Sequence, residues 1–132
     1  MASKSKFKFT ATPKAFKKPV DIVMLDGSTS AIEFSFIYRT RKQFAELADA
    51  NMESVKADQK AASNAQDRTV SEWYAISDGH SVAHVLNIVQ AWDLEEELNE
   101  ESLTKLEDEY PGSLSAIASV YRQAVAEART KN

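Results

Sequence analysis

The chain has 132 residues, of which 43% are hydrophobic and 27% charged, a balance that suits one globular domain. It has no cysteine, which excludes disulfides, thiolate metal sites and a cysteine nucleophile and fits a reducing compartment. The net charge of −4 is unevenly spread: residues 1–19 hold six lysines and no acid, and taking those six from 16 leaves 10 basic against 20 acidic residues in the remainder.

Residues 1–19 read as a basic extended arm. Pro13 and Pro19 oppose a helix, and Phe7, Phe9 and Phe16 are spaced so that they can staple the segment to a body. The same phenylalanines, set among lysines, could stack on bases, but the acidic remainder weighs against nucleic acid as a partner. Met1–Lys8 lacks the apolar run of a secretory signal, and no apolar run approaches the ~20 residues that span a bilayer. The expectation is a protein of the cytoplasm with no membrane partner.

Residues 20–132 are expected to form a single α-rich domain with an N-terminal hairpin. Val20, Ile22 and Met24 alternate with Asp21 and Val23; Asp26-Gly27 marks a turn; Ile32, Phe34, Phe36 and Tyr38 alternate again. An isolated hairpin is marginal in water, so its apolar face must cover helices.

From Thr40 the period changes. Thr40-Arg41-Lys42-Gln43 has the form of a capping box, and Phe44, Leu47, Ala48, Met52 and Val55 then fall on one helical stripe. The spacing predicts a helix of about five turns, followed by a mobile linker up to Gln66. Thr69-Val70-Ser71-Glu72 repeats the cap, Trp73 and Ile76 follow, and Asp78-Gly79 is expected to interrupt. Val82, Val85, Leu86 and Val89 then predict an apolar helix ending near Trp92. An acidic connection leads to Asn99, a plausible cap for a short helix carrying Leu103, Leu106 and Tyr110 that Pro111-Gly112 stops. Leu114, Ile117, Tyr121, Val125 and Ala128 form the stripe of the last helix. The expected fold class is α+β, mainly α, with an N-terminal β-hairpin packed on four or five helices.

No residue set stands out as catalytic. Three glycines leave no phosphate-binding loop, no nucleophile elbow is present, and the carboxylate runs Glu95-Glu96-Glu97 and Glu107-Asp108-Glu109 read as solvated faces. His80 and His84 share a helical face, but Ser81 stands where a zinc protease carries its glutamate, so they read as ordinary polar residues at a helix start. No cofactor or metal is expected. Trp73, Tyr74 and Trp92 could anchor an interface, although a chain of this size more often spends such residues on its core.

In order along the chain, several of these signals resemble the tail assembly chaperones of long-tailed bacteriophages. The opening Phe7-Lys8-Phe9, Pro13 and Phe16-Lys17-Lys18-Pro19-Val20 is similar to theirs, as is a hairpin closing on Phe34-Ser35-Phe36 before Arg39-Thr40-Arg41-Lys42. Val89-Gln90-Ala91-Trp92-Asp93-Leu94 resembles the family's valine-to-tryptophan-x-leucine element. Leu103, Leu106, Tyr110-Pro111-Gly112, Ala116-Ile117, Tyr121 and Ala128-Arg129 resemble its closing pattern. The likeness spares only the polar stretch from about Met52 to Gln66.

The resemblance implies a non-enzymatic protein that binds the tape measure protein, keeps it soluble, and recruits tail tube subunits. It also implies action in the host cell cytoplasm, absence from the mature virion, and a longer frameshifted companion. Self-association is compatible with it. The residues expected to meet a partner are Trp92, Leu94, Tyr110 and Tyr121. Two other readings compete. One is a structural tail completion or connector protein of the virion. The other is a small nucleic-acid-binding regulatory module that uses the basic arm.

Overall fold

The computed structural model describes residues 5, 9, 14–62 and 68–128. Most of the basic arm, the last part of the expected linker (63–67) and residues 129–132 lie outside the described residues. The elements run β1 (Ala15–Val23), β2 (Thr29–Ile37), α1 (Arg41–Ala62), α2 (Val70–Ile88), β3 (Val89–Trp92), α3 (Glu100–Glu109) and α4 (Ser113–Val125). The architecture is therefore α+β, with one three-stranded antiparallel sheet ordered β1-β2-β3 and four helices.

The expected hairpin forms with Val20 opposite Ile32 and Phe16 opposite Phe36. Its turn is held by Asp26, whose Oδ1 accepts from Ser28 N–H at 3.0 Å and Ser28 Oγ at 2.5 Å, while Gly27 supplies the left-handed φ of 86°. These bonds hold the Asp26 carboxyl below its ordinary pKa. Strand β1 begins at Ala15, so Ala15–Pro19 of the basic segment pair with β2. This edge strand carries Lys17, Lys18 and Pro19, residues that discourage further strand addition.

The sequence reading placed Val89–Trp92 at the end of a helix. The structure corrects this: α2 stops at Ile88, and Val89–Trp92 becomes the third strand, pairing Phe34 with Trp92 and Phe36 with Val89. A bulge lies between Ser35 and Phe36. Beyond the strand, Asp93 continues the ladder: its N–H donates to Glu33 O at 3.1 Å and its Oδ1 accepts from Glu33 N–H at 3.0 Å. Val85, Val89 and Trp92 are four and three positions apart, so the helical spacing runs on through a strand that is fixed by tertiary pairing.

A second correction concerns Asp78-Gly79. Helix α2 passes through them without a break, and α1 reaches Ala62, beyond the five turns expected. A single glycine costs a helix interior only about 1 kcal/mol relative to alanine, and the flanking turns outweigh that.

Three expected caps are present. Thr40 Oγ1 accepts from Gln43 N–H and Gln43 Oε1 accepts from Thr40 N–H. Thr69 accepts from Glu72 N–H, and Asn99 and Ser102 form a reciprocal box. Helix α4 starts differently. Gly112 has no side chain to cap it, and Glu107 of α3 accepts from Gly112 N–H at 2.5 Å and Leu114 N–H at 3.2 Å. A carboxylate at this positive end also suits the helix dipole. Helix α4 ends at Val125, one turn short of Ala128.

The core lies between the inner sheet face and α2, α3 and α4. Val20, Ile22, Ile32, Phe34 and Phe36 meet Val82, Val85, Ile88, Leu103, Leu114, Ile117 and Tyr121, all buried. Removal of this apolar surface from water is the main stabilising term. Helix α1 sits outside it, contributing the half-buried Phe44 and Leu47. None of the residues of α2 before Val82 is fully buried. The first half of α2 and the second half of α1 therefore lie away from the core.

Candidate functional site

The partner residues expected from sequence separate in space. Tyr121 is fully buried: its ring packs against Phe16, Phe36 and Phe44 at 6.2, 5.6 and 5.9 Å, and its hydroxyl is bonded to Ile37 O. Tyr110 is half-buried at the end of α3 and packs on the core. Trp92 stacks at a tilt on Phe34 at 5.9 Å, and its Nε1–H donates to Glu96 O at 2.7 Å, which folds the acidic loop back on the strand. Leu94, in that loop, is 38% exposed. Of the four, Leu94 is exposed, Trp92 and Tyr110 are half-buried, and Tyr121 presents nothing to the surface.

The structure assembles a different surface that sequence periodicity did not single out. Helices α1, α2 and α4 enclose an open cleft of about 490 Å³. Its apolar wall comes from Val55 of α1, Trp73, Ile76 and Val85 of α2, and Leu114 and Ala118 of α4. A stripe of this kind usually turns inward, but here α1 and the first half of α2 leave it partly open. Trp73 is 49% exposed and its neighbour Tyr74 67%. Large aromatics that stay in water on one helix are the residues an interface buries first.

Polar groups enter the same cleft. His80 and His84 stand one turn apart on the cleft face of α2, in the middle of the helix rather than at its start. His80 Nε2 lies 2.5 Å from Asp58 Oδ2 of α1, close but not aligned as a hydrogen bond. His84 has its pKa lowered, first by burial and then by the Arg39 guanidinium, so it is neutral at pH 7. Its Nδ1 is buried with no hydrogen-bond partner. Arg68, just before α2, lays its guanidinium 5.6 Å from the centre of the Trp73 ring, and its Nη1 is likewise buried and unpartnered. Among the described residues, no three His, Asp or Glu side chains are grouped so as to hold a metal ion.

The cleft thus combines an apolar slot, one half-exposed tryptophan and a few polar side chains, the composition common to ligand pockets. No helix among the described residues is long and apolar enough to cross a membrane. The fold and the cleft together define a small α+β domain with an open, largely apolar cleft between three helices. More specifically, the sequence matches the phage tail assembly chaperone family over residues 1–132, and the chain belongs to that family. No curated protein and no solved structure matches it.

Proposed function

We propose that this chain binds the tape measure protein during tail morphogenesis, keeps it soluble and recruits tail tube subunits to it, without catalysing a reaction. The observation that carries this reading is family membership along the whole chain. The surface agrees with it. A client that is long and largely helical offers apolar stripes, and the α1–α2–α4 cleft with the half-exposed Trp73 in its lining is shaped to accept one. The acidic outer face, with Glu95, Glu96 and Glu97 exposed beside β3, supplies the charge that keeps such a complex dispersed. The chain acts in the host cytoplasm and leaves before the virion is complete.

The test is an affinity pull-down from cells that co-express the tagged chain and the tape measure protein of the same genome, paired with mass spectrometry of purified virions. The expected result is co-elution with several copies of this chain per client and no copies in the particle. A chain found stoichiometrically in virions and unbound to the tape measure protein would make it a structural tail component instead.

A further inference from the structure

We propose that the α1–α2–α4 cleft takes an amphipathic helical segment of the client that presents a carboxylate beside a bulky apolar residue, and that Arg68 is the group that reads the carboxylate. This rests on the reading that the chain binds a client, and it names the site and the chemistry of the segment.

Charge and hydrogen-bond accounting lead to that occupant. The cleft's floor and sides are apolar at Val55, Ile76 and Leu114, which sets a place for an aliphatic or aromatic side chain. Arg68 and His84 both line the cleft, and each holds one buried nitrogen, Nη1 and Nδ1, without a hydrogen-bond partner. A buried donor left unpaired costs about 1–3 kcal/mol, and more when it is charged, so a carboxylate brought to this end of the cleft gains by pairing with the Arg68 guanidinium. Asp58 is the carboxylate in the cleft lining, and it lies against His80. The guanidinium of Arg68 is also pre-oriented, because it rests on the Trp73 ring. A planar fork held in one orientation is the group best suited to a carboxylate. The neutral His84 can donate from Nδ1 to the second oxygen or accept from a neighbouring hydroxyl.

The sign of the charge discriminates among occupants. The lysine-rich segment of this chain would bring like charge to Arg68, whereas a segment with Asp or Glu one turn from a Leu, Phe or Trp satisfies both halves of the cleft. The spacing follows from the helix, where residues three or four apart share a face.

The experiment is selection of a displayed library of random 16-residue peptides on the full chain, followed by titration of the enriched peptides. Two variants are compared with wild type: Arg68→Gln, which removes the charged guanidinium fork while keeping a polar side chain, and Ser77→Trp, which fills the cleft from an exposed position on α2. The expected consensus carries an acidic residue three or four positions from a bulky apolar one. Arg68→Gln should weaken those peptides roughly tenfold, in line with loss of a charge-assisted hydrogen bond, and leave their Asn or Gln counterparts unchanged. Ser77→Trp should abolish binding of both.

Enriched peptides without a carboxylate, or binding indifferent to both variants, would overturn the proposal. So would a wild-type chain that self-associates and becomes monomeric as Arg68→Gln, since the occupant would then be a second copy. The two readings fail separately. If the selection gives the expected consensus but the tape measure pull-down is empty, the cleft stands and the client is another protein. If the pull-down succeeds and the selection fails, the client binds elsewhere.

Discussion

Tyr121 donates its hydroxyl hydrogen to the Ile37 carbonyl at 2.8 Å, so the middle of α4 is bonded to the last residue of β2. The same oxygen accepts from Arg39 Nη1 at 3.0 Å. Burial raises the Tyr121 pKa while Arg39 opposes the rise, and the phenol stays protonated at neutral pH, as donation to Ile37 requires. Tyr121→Phe keeps the ring and removes both bonds. The expected loss is about 1–2 kcal/mol in urea denaturation, with the fold retained. Tyr121→Ala empties the centre of the aromatic cluster and should cost about 3–5 kcal/mol. A Tyr121→Phe variant as stable as wild type would mean the two bonds carry no net weight.

Gly79 offers a change in the opposite direction. It lies inside α2 with φ outside the left-handed region, and a Cβ placed there would meet nothing within 4 Å. Gly79→Ala should therefore stabilise the chain by about 0.5–1 kcal/mol, largely through the unfolded state. Thermal unfolding checks it, and a drop in the midpoint would show that α2 bends at this position in solution.

His84 makes stability depend on pH. Its folded pKa lies below the ordinary 6.5 because of burial and Arg39. The unfolded chain takes up the proton first, so stability is full above 6.5 and is lost as the pH falls toward the folded value. Denaturation midpoints measured between about pH 7.5 and about pH 5.5, above most carboxylate titration, should fall in the wild type. In His84→Gln that slope should flatten. A slope unchanged in the variant would assign the effect to other groups.

The features legible in sequence were those with local causes. The Thr40–Gln43 and Thr69–Glu72 caps, the Asp26-Gly27 turn and the Asn99 cap each depend on residues a few positions apart, and each forms as read. The alternation from Val20 to Phe36 likewise survived because one sheet face is buried. Strand β3 was missed because its pairing partner, Phe34, lies 58 positions away in sequence and the helical stripe overlaps it. The continuity of α2 was missed because Asp-Gly is a turn signal that a long, packed helix overrides. The cleft was legible only in part: Val55, Trp73, Ile76, Val85 and Leu114 stand on stripes read from the sequence, but spacing alone does not bring them to one opening. Trp73, Arg68, His80 and Asp58 converge only once α1 and α2 are packed side by side, and Glu107 became the cap of α4 only because the preceding turn brings it there.

Trp92 and Leu94 separate structural from surface roles. Trp92→Ala removes the Phe34 contact and the bond that holds the acidic loop, and should cost about 2–3 kcal/mol. Leu94→Ser, at an exposed loop position, should leave stability within about 0.5 kcal/mol. Circular dichroism melts check both values. Client binding lost in Leu94→Ser at unchanged stability would place the contact surface on the acidic loop instead of the cleft.

The central claim is that this chain keeps a tail client soluble by binding it. The most direct measurement is the soluble fraction of the tape measure protein of the same genome, expressed alone, with this chain, and with its Ser77→Trp variant. The account predicts a client that is insoluble alone, soluble with the wild-type chain, and insoluble again with the variant. A client equally soluble in all three, or insoluble in all three, would contradict it.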